Sequence, residues 1–279
     1  MALPRRTFRT RRAGRHRRPH RLTLPSDAPS LVLAVAGASC AASDQLAAEV
    51  AAAASLSCPG VDVRIGYLAG NVRRLEDALV FPASNAHDPA PAAVVVPLLA
   101  GPHPDLDAAL AKAIEQTSAP VMLGSHLGPH PLLASAVHAR LAEAGLAREG
   151  RVTGLSIVAS ANGVLVLADR GEEAVQAAGV TAVLLAARLA VPTAAASLGD
   201  PGSINSALER LREAGVSHPA IAPCLIGPET PPHEIEIIRA GLNAPCAPPL
   251  GAHPAVAQLA AMRYGAALAS LTTVALPSR

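Results

Sequence analysis

Continuous apolar runs recur along this chain, and segments with helical patterns separate them. One run spans residues 31–36 and leads into Gly37, and another spans 93–99 and leads into Gly101 and Pro102. Runs without a polar face are typical of parallel strands that are covered on both sides. Because strands and helices alternate, the pattern predicts an α/β fold with parallel sheets, flanking helices and right-handed crossovers.

The predicted elements form two similar series. In the first half, strands and helices alternate at 31–36, 43–57, 61–68, 72–80, 93–99, 105–116, 121–123 and 131–144. In the second half, strands are predicted at 155–160, 193–198 and 220–226. Helices are predicted there at 172–178, 203–215 (with Ser203 as its cap), 232–240 and 254–268, and 180–188 fits either type.

Two short motifs of the first half recur in the second. Leu-Gly-Pro-His-Pro at 127–131 returns as Leu-Gly-Ala-His-Pro at 250–254, an offset of 123 residues. Pro-Leu-Leu-Ala-Gly-Pro at 97–102 returns as Pro-Cys-Leu-Ile-Gly-Pro at 223–228, an offset of 126. Repeats of about 20–50 residues indicate a solenoid, so this longer period indicates a duplicated α/β unit instead. We expect two similar domains, at 30–148 and 149–279, that face each other across a cleft.

The charge is divided unevenly along the chain. Nine arginines and no acidic residue lie within 1–22, whereas the rest of the chain has 14 basic and 21 acidic residues. The segment 1–29 is predicted to be a disordered basic tail; contact with phosphate backbones is the alternative that its arginines raise. Aromatic residues make up only 1% of the chain, which argues against stacking platforms for nucleic acid, so no nucleic-acid partner is expected.

The apolar and cysteine patterns bear on the compartment. The tail has no apolar stretch of the kind found in secretory signals, and no long uninterrupted apolar run predicts a membrane span. The four cysteines show no C-x-x-C spacing. We therefore expect reduced thiols, a cytoplasmic location and no membrane partner.

The residues that could carry chemistry follow predicted strands. His103 stands two residues after Gly101, and Asp107 lies one helical turn further on, where a carboxylate could orient the imidazole. The repeat places Glu229 and His233 at the matching positions. All four residues are ligand types for divalent transition metals, and ligands bind at the carboxyl ends of strands in such folds. The alternative is that they are solvated loop residues.

His130 and His253 each precede a proline at a predicted helix start. A proline suits the first turn of a helix. We therefore predict a structural role for both histidines, in which the imidazole bonds to a neighbouring backbone group. No G-x-G-x-x-G, phosphate-loop or G-x-S-x-G motif is present, so nucleotide binding and serine hydrolase chemistry have no support.

The segment 94–103 with Asp107, followed by 127–133, resembles the sirohydrochlorin chelatase family. These class II chelatases insert cobalt or ferrous iron into a modified tetrapyrrole, and their long bacterial forms are internal duplications. The resemblance implies two chelatase-like domains and a role in siroheme or cobalamin biosynthesis. It further implies sirohydrochlorin and Fe²⁺ or Co²⁺ as substrates, no organic cofactor, and a monomer with pseudo-twofold domains.

One departure from the family concerns its first motif, Ala-His-Gly, which places a histidine on the first strand. Ala36 stands there in this chain, and residues 159–161 (Ala-Ser-Ala) correspond to that place in the second half. The resemblance then leaves His103 as catalytic residue and metal ligand, with Glu229 and His233 as further metal ligands.

Three outcomes follow for activity. The remaining site suffices, or Cys40, Glu229 or His233 compensates, or the protein is a non-catalytic tetrapyrrole or metal binder that acts as a carrier or accessory protein. His103 itself is expected in an exposed loop, where replacing it with alanine changes stability by less than about 1 kcal/mol.

Overall fold

The computed structural model describes residues 28–81, 90–147 and 161–274. The first half of the chain contributes β1 (Ser30–Ala38), α1 (Ala41–Ser57), β2 (Val63–Ala69), α2 (Leu75–Ala78), β3 (Ala93–Pro97), α3 (Pro104–Glu115), β4 (Val121–Leu123) and α4 (Pro131–Glu143). The second half contributes β5 (Gly163–Ala168), α5 (Glu172–Leu189), β6 (Thr193–Ser197), α6 (Pro201–Glu213), β7 (Pro219–Pro223), α7 (Pro232–Leu242) and α8 (Pro254–Val274).

The strands form two parallel sheets, one from each half. The first has the order β2-β1-β3-β4 and the second the order β6-β5-β7. A parallel bridge between Ile221 of β7 and Cys246 stands in the second half where β4 stands in the first. The predicted α/β fold with two parallel, helix-flanked sheets is confirmed. None of the helices among these residues is long and apolar enough to cross a membrane.

Several predicted elements differ from the structure. The helix expected at 72–80 is limited to Leu75–Ala78, because Arg73 has a φ of 52° that a right-handed helix excludes. The segments 172–178 and 180–188 form one helix, α5. The predicted strand at 155–160 lies outside the described residues, and β5 at Gly163–Ala168 was not predicted. Asp200, rather than Ser203, caps α6 and accepts the amide of Gly202 at 2.8 Å.

Each half covers the sheet of the other with its last helix. Helix α8 packs on α1 and β3 of the first sheet, and α4 packs on α5 and β7 of the second. Arg140 of α4 donates from Nη2 to the Leu250 carbonyl at 2.6 Å, and Arg263 of α8 donates from Nη2 to the Leu127 carbonyl at 2.9 Å. The two bonds are related by the same offset of 123 residues as the motifs. One apolar core therefore spans both sheets.

Candidate functional site

His103 lies at the carboxyl end of β3 and caps α3. Its Nδ1 accepts the backbone N–H of Leu106 at 3.3 Å, which satisfies one of the free amides of the first helical turn. The residue is only 6% exposed. The expectation of an exposed loop histidine is therefore wrong, because the second half of the chain covers the ring.

The side chain that faces the His103 ring is Asp169, just after β5. Asp169 Oδ2 lies 3.4 Å from His103 Nε2, and both side chains are less than a tenth exposed. Burial raises the pKa of Asp169, whereas the Arg170 amide and His103 act against this rise. Because Nδ1 accepts a hydrogen bond, the neutral ring carries its proton on Nε2, toward Asp169. The two halves of the chain thus meet at this pair.

Asp107 does not orient the His103 ring. Its Oδ2 accepts the backbone N–H of His103 at 3.0 Å, and its Oδ1 lies 2.7 Å from Nε2 of His126. The prediction that Asp107 steadies the imidazole is wrong, since the carboxylate reaches the backbone amide and a second histidine. The sequence did contain a signal for His126, which stands three residues after β4 at another strand end.

The strand register gives the counterpart of Ala36 in the second half. Ala34 pairs with Pro97 in the first sheet, and Leu167 pairs with Pro223 in the second. Since Pro97 and Pro223 occupy the same place in the repeat, Ala36 corresponds to Asp169, two residues beyond each paired strand position. The match of Ala36 to 159–161, of which 159 and 160 lie outside the described residues, is replaced by this register.

Glu229 occupies the position of His103 in the repeat, at the mouth of β7. Its carboxylate accepts the backbone amides of Ile226 and of Gly227, the latter at 2.7 Å. Burial raises the pKa of Glu229 to about 7, and the nearby charge of Asp169 adds to the rise, whereas the backbone amides lower it. A carboxyl with this pKa can accept or release a proton near neutral pH.

His233 is exposed at the start of α7. Within the described ranges, no group of three or more His, Cys, Asp or Glu side chains is placed to hold a metal together. The metal role of Glu229 and His233 stays a prediction. Cys40 is exposed, and its Sγ lies 3.3 Å from the Ser43 hydroxyl.

The two sets of strand ends are closely packed in this state. A Cβ added to Gly37 would lie 2.7 Å from the Pro228 carbonyl oxygen, and one added to Gly171 would lie 3.5 Å from Pro104. The segment after β7 thus packs on the carboxyl end of β1, and the segment after β3 packs on the segment after β5. Asp169, Cys224 and Glu229 line a small cavity between them.

His130 and His253 form equivalent helix caps, as predicted. Nδ1 of His130 accepts the Leu132 amide at 3.1 Å, and Nδ1 of His253 accepts the Ala255 amide at 3.1 Å. Burial lowers the pKa of both histidines. The charge of Arg263 lowers the pKa of His130 further, and the charge of Arg140 does the same for His253. The neutral ring that can accept these bonds is therefore favoured.

Replacing His130 with alanine is expected to lower the free energy of unfolding by about 1 kcal/mol, because the first turn of α4 loses its cap. Urea unfolding of the purified variant measures the loss. His130→Asn, which retains a capping side chain, should recover most of it. Equal stability of His130→Ala and the original chain would contradict the structural role.

Replacing Glu229 with glutamine is expected to flatten the dependence of unfolding free energy on pH. The folded pKa of about 7 exceeds the unfolded value of about 4.3, so the folded state retains a proton that the unfolded state loses. The resulting stability is present below about pH 4.3 and is lost as pH rises through about 7. Urea unfolding from pH 4 to 8 measures this slope. Glu209→Gln, an exposed control on α6, should leave it unchanged; an unchanged slope in Glu229→Gln would contradict the burial argument.

Comparison with known proteins agrees with the fold and the motifs. A family model described as CbiX matches residues 30–144. The sirohydrochlorin chelatase SirB from Bacillus subtilis subspecies spizizenii in complex with cobalt superposes with a TM-score of 0.60, at 17% identity, over 88% of this chain and 97% of its own. SirB from Bacillus subtilis with Fe³⁺ gives 0.60 at 18% identity, over 88% and 98%.

A third structure is CbiX, the terminal enzyme for biosynthesis of siroheme in denitrifying bacteria. It superposes with a TM-score of 0.55 at 21% identity, over 85% of this chain and 99% of its own. No curated protein matches the chain. Residues 30–144 therefore match the CbiX family model, and the chain as a whole has the fold of the sirohydrochlorin chelatases SirB and CbiX.

Proposed function

We propose that this protein inserts Fe²⁺ or Co²⁺ into sirohydrochlorin, in siroheme or cobalamin biosynthesis. The observation that carries the proposal is His103, which lies at the carboxyl end of β3 within the segment that matches the CbiX model, with Nε2 facing the second half. The similar SirB structures contain cobalt or Fe³⁺. Here the metal is a substrate, and no organic cofactor is required.

The chemistry requires two pyrrole protons to leave as the metal arrives. Nε2 of His103 is the ligand that presents the metal, since imidazole binds divalent transition metals well. Glu229, with its pKa raised to about 7 by burial, is suited to accept a proton near neutral pH. His126, bonded to Asp107, is a second acceptor near the His103 backbone.

The state described here is closed around His103. Because His103 is only 6% exposed, a tetrapyrrole can reach Nε2 only after the carboxyl ends of β3 and β5 move apart. Gly171 and Pro104 mark that contact. Opening at this boundary would let the macrocycle enter. Closing it again would exclude water, as in other enzymes with moving lids.

The proposed organisation is a monomer in the cytoplasm, in which residues 30–148 and 149–279 are the duplicated units. The reciprocal bonds of Arg140 and Arg263 support a pseudo-twofold pair within one chain. Light scattering should give a mass near that of one chain, 28.1 kDa. A stable species of twice that mass would contradict the monomer.

The proposed activity is tested by mixing the purified, untagged protein with sirohydrochlorin and either Co²⁺ or Fe²⁺ without oxygen. The absorbance change of the macrocycle reports metal insertion. We expect an initial rate above the spontaneous rate that is proportional to protein concentration and absent after heat denaturation. A rate equal to the spontaneous one with both metals would reject the enzymatic proposal.

The second candidate is a non-catalytic tetrapyrrole or metal carrier, and Ala36 in place of the family histidine favours it. Titration of sirohydrochlorin into the protein separates the two candidates. Saturable binding without faster metal insertion supports the carrier. Absence of tetrapyrrole binding would reject both.

A further inference from the structure

We propose that Asp169 is a metal ligand that acts together with His103, in a site that bridges the two halves of the chain. The inference deepens the proposed function and rests on it for the metal's role as a substrate. In the family, the partner of His103 is a histidine on β1, where this chain has Ala36. Here the second ligand comes from the opposite half.

The first support is the geometry of the pair. The 3.4 Å between His103 Nε2 and Asp169 Oδ2 exceeds the distance of about 2.7–2.9 Å found in charge-assisted hydrogen bonds. Two ligands that each lie about 2.1 Å from one metal, at the tetrahedral angle, are about 3.4 Å apart. The spacing therefore suits a shared metal better than a direct hydrogen bond.

The second support is that Asp169 Oδ2 lacks a hydrogen-bond partner. It is a buried oxygen with none among the described residues, and the Asp169 side chain is only 9% exposed. Oδ1 of the same carboxylate accepts the Arg170 amide at 2.8 Å and lies 3.5 Å from the Thr230 hydroxyl. One oxygen is held in place, and the other points at the His103 ring. Buried charges of this kind are paired or bind metals.

The third support is the pseudo-symmetry of the fold. The strand register matches Asp169 to Ala36, and the repeat matches His103 to Glu229. Among the described residues, only the boundary between β3 and β5 has a ligand-type side chain on both sides. At the other boundary Ala36 offers no ligand, and Glu229 bonds to amides of its own loop. The second half thus has a ligand-type side chain, Asp169, at the position where the first half has Ala36.

The ligand set also suits a metal that must be passed on. One neutral imidazole and one carboxylate leave coordination positions open for water or a macrocycle nitrogen, as in metal sites that exchange their ligands. When Nε2 binds the metal, the single ring proton of the neutral imidazole moves from Nε2 to Nδ1. Nδ1 then no longer accepts the Leu106 amide, and this 3.3 Å hydrogen bond is lost. Binding at this pair is accordingly labile, as transfer requires.

The test is a titration of the untagged protein with Co²⁺ alone, followed by visible absorption and equilibrium dialysis. We expect one bound Co²⁺ per chain, and at least a tenfold loss of affinity in both Asp169→Asn and His103→Ala. Asp200→Asn is the matched control, since Asp200 undergoes the same chemical change at an exposed helix cap of the second half. It should bind Co²⁺ like the original chain.

A rescue variant separates a ligand from a structural partner of His103. Asp169→Cys should regain Co²⁺ binding and add the intense near-ultraviolet band of a cobalt thiolate, because thiolate is itself a metal ligand. Co²⁺ should raise the melting temperature of the original chain but not that of Asp169→Asn. A merely structural partner would give no such band and no such difference.

The outcomes separate this inference from the proposed function. If Asp169→Asn binds Co²⁺ as tightly as the original chain, if a folded Asp169→Cys gives no cobalt thiolate band, or if the original chain binds no Co²⁺, the site is rejected. If Co²⁺ binding depends on Asp169 but the metal never enters sirohydrochlorin, the site holds and the chelatase proposal fails. If Asp169→Asn inserts metal at the original rate, the chelatase proposal holds and the inference fails.

Discussion

Replacing His103 with alanine is expected to slow metal insertion to the spontaneous rate, because the ligand that presents the metal is lost; the expected loss is on the order of the 10²–10⁴-fold that a positioned acid or base contributes. It is also expected to lower the free energy of unfolding by about 1–2 kcal/mol. The first turn of α3 loses its cap, and the buried Asp169 carboxylate loses the ring that faces it. This replaces the smaller effect expected for an exposed loop.

The initial rate of metal insertion and urea unfolding measure the two effects on the same sample. His130→Ala is the matched control, since it removes an equivalent helix cap without touching the site. It should lose similar stability and keep most of the activity. Full turnover and full metal binding in His103→Ala would show that the metal site lies elsewhere. Glu229 and His233 would then be the next candidates.

Ending the chain at Ala252 is expected to unfold the first half, although that half keeps all its own strands. The truncation removes α8, whose Val256, Leu259 and Tyr264 are fully buried. Each large apolar side chain contributes about 1.5–3 kcal/mol by its burial, and a whole domain is stable by only about 5–15 kcal/mol. The removed Arg263 also leaves the Leu127 carbonyl without its donor.

Circular dichroism and the chemical-shift dispersion of amide protons measure this loss of fold. A chain ending at Leu271 keeps the buried part of α8 and should fold as the original does. Cooperative unfolding of the shorter chain, with dispersed signals from residues 28–147, would show instead that the first half folds without α8.

Much of the architecture could be predicted from local sequence. The apolar runs at 31–36 and 93–99 gave two parallel strands, and the repeated motifs at 127–131 and 250–254 gave two equivalent helix caps. These features depend on short stretches of chain. The period of an apolar run and the chemistry of a cap are visible without knowledge of any distant contact.

The packing of α4 and α8, each on the sheet of the other half, was not predicted, although the sequence contained a signal for it. Arg140 and Arg263 share the 123-residue offset of the motifs, and both are rare charges within apolar helices. A repeat shows that two units are alike; it does not show which unit each helix covers. The reciprocal bonds to Leu250 and Leu127 become visible only when both sheets are in place.

The site partner of His103 could not be found from the sequence for a similar reason. Asp169 is 66 residues away, and the register that relates it to Ala36 depends on β5, which was not predicted because the strand was assigned to 155–160. Asp107, four residues from His103, was the local choice of carboxylate. The fold instead turns it toward the backbone amide and His126.

The most direct test of the account is a multiple-turnover assay with sirohydrochlorin and Co²⁺ or Fe²⁺ each in tenfold excess over the protein. The proposed chelatase activity predicts that the metallated product exceeds the amount of protein several times, at a rate above the spontaneous reaction. Product formation that follows the spontaneous rate, or that stops at one equivalent of protein, would contradict it.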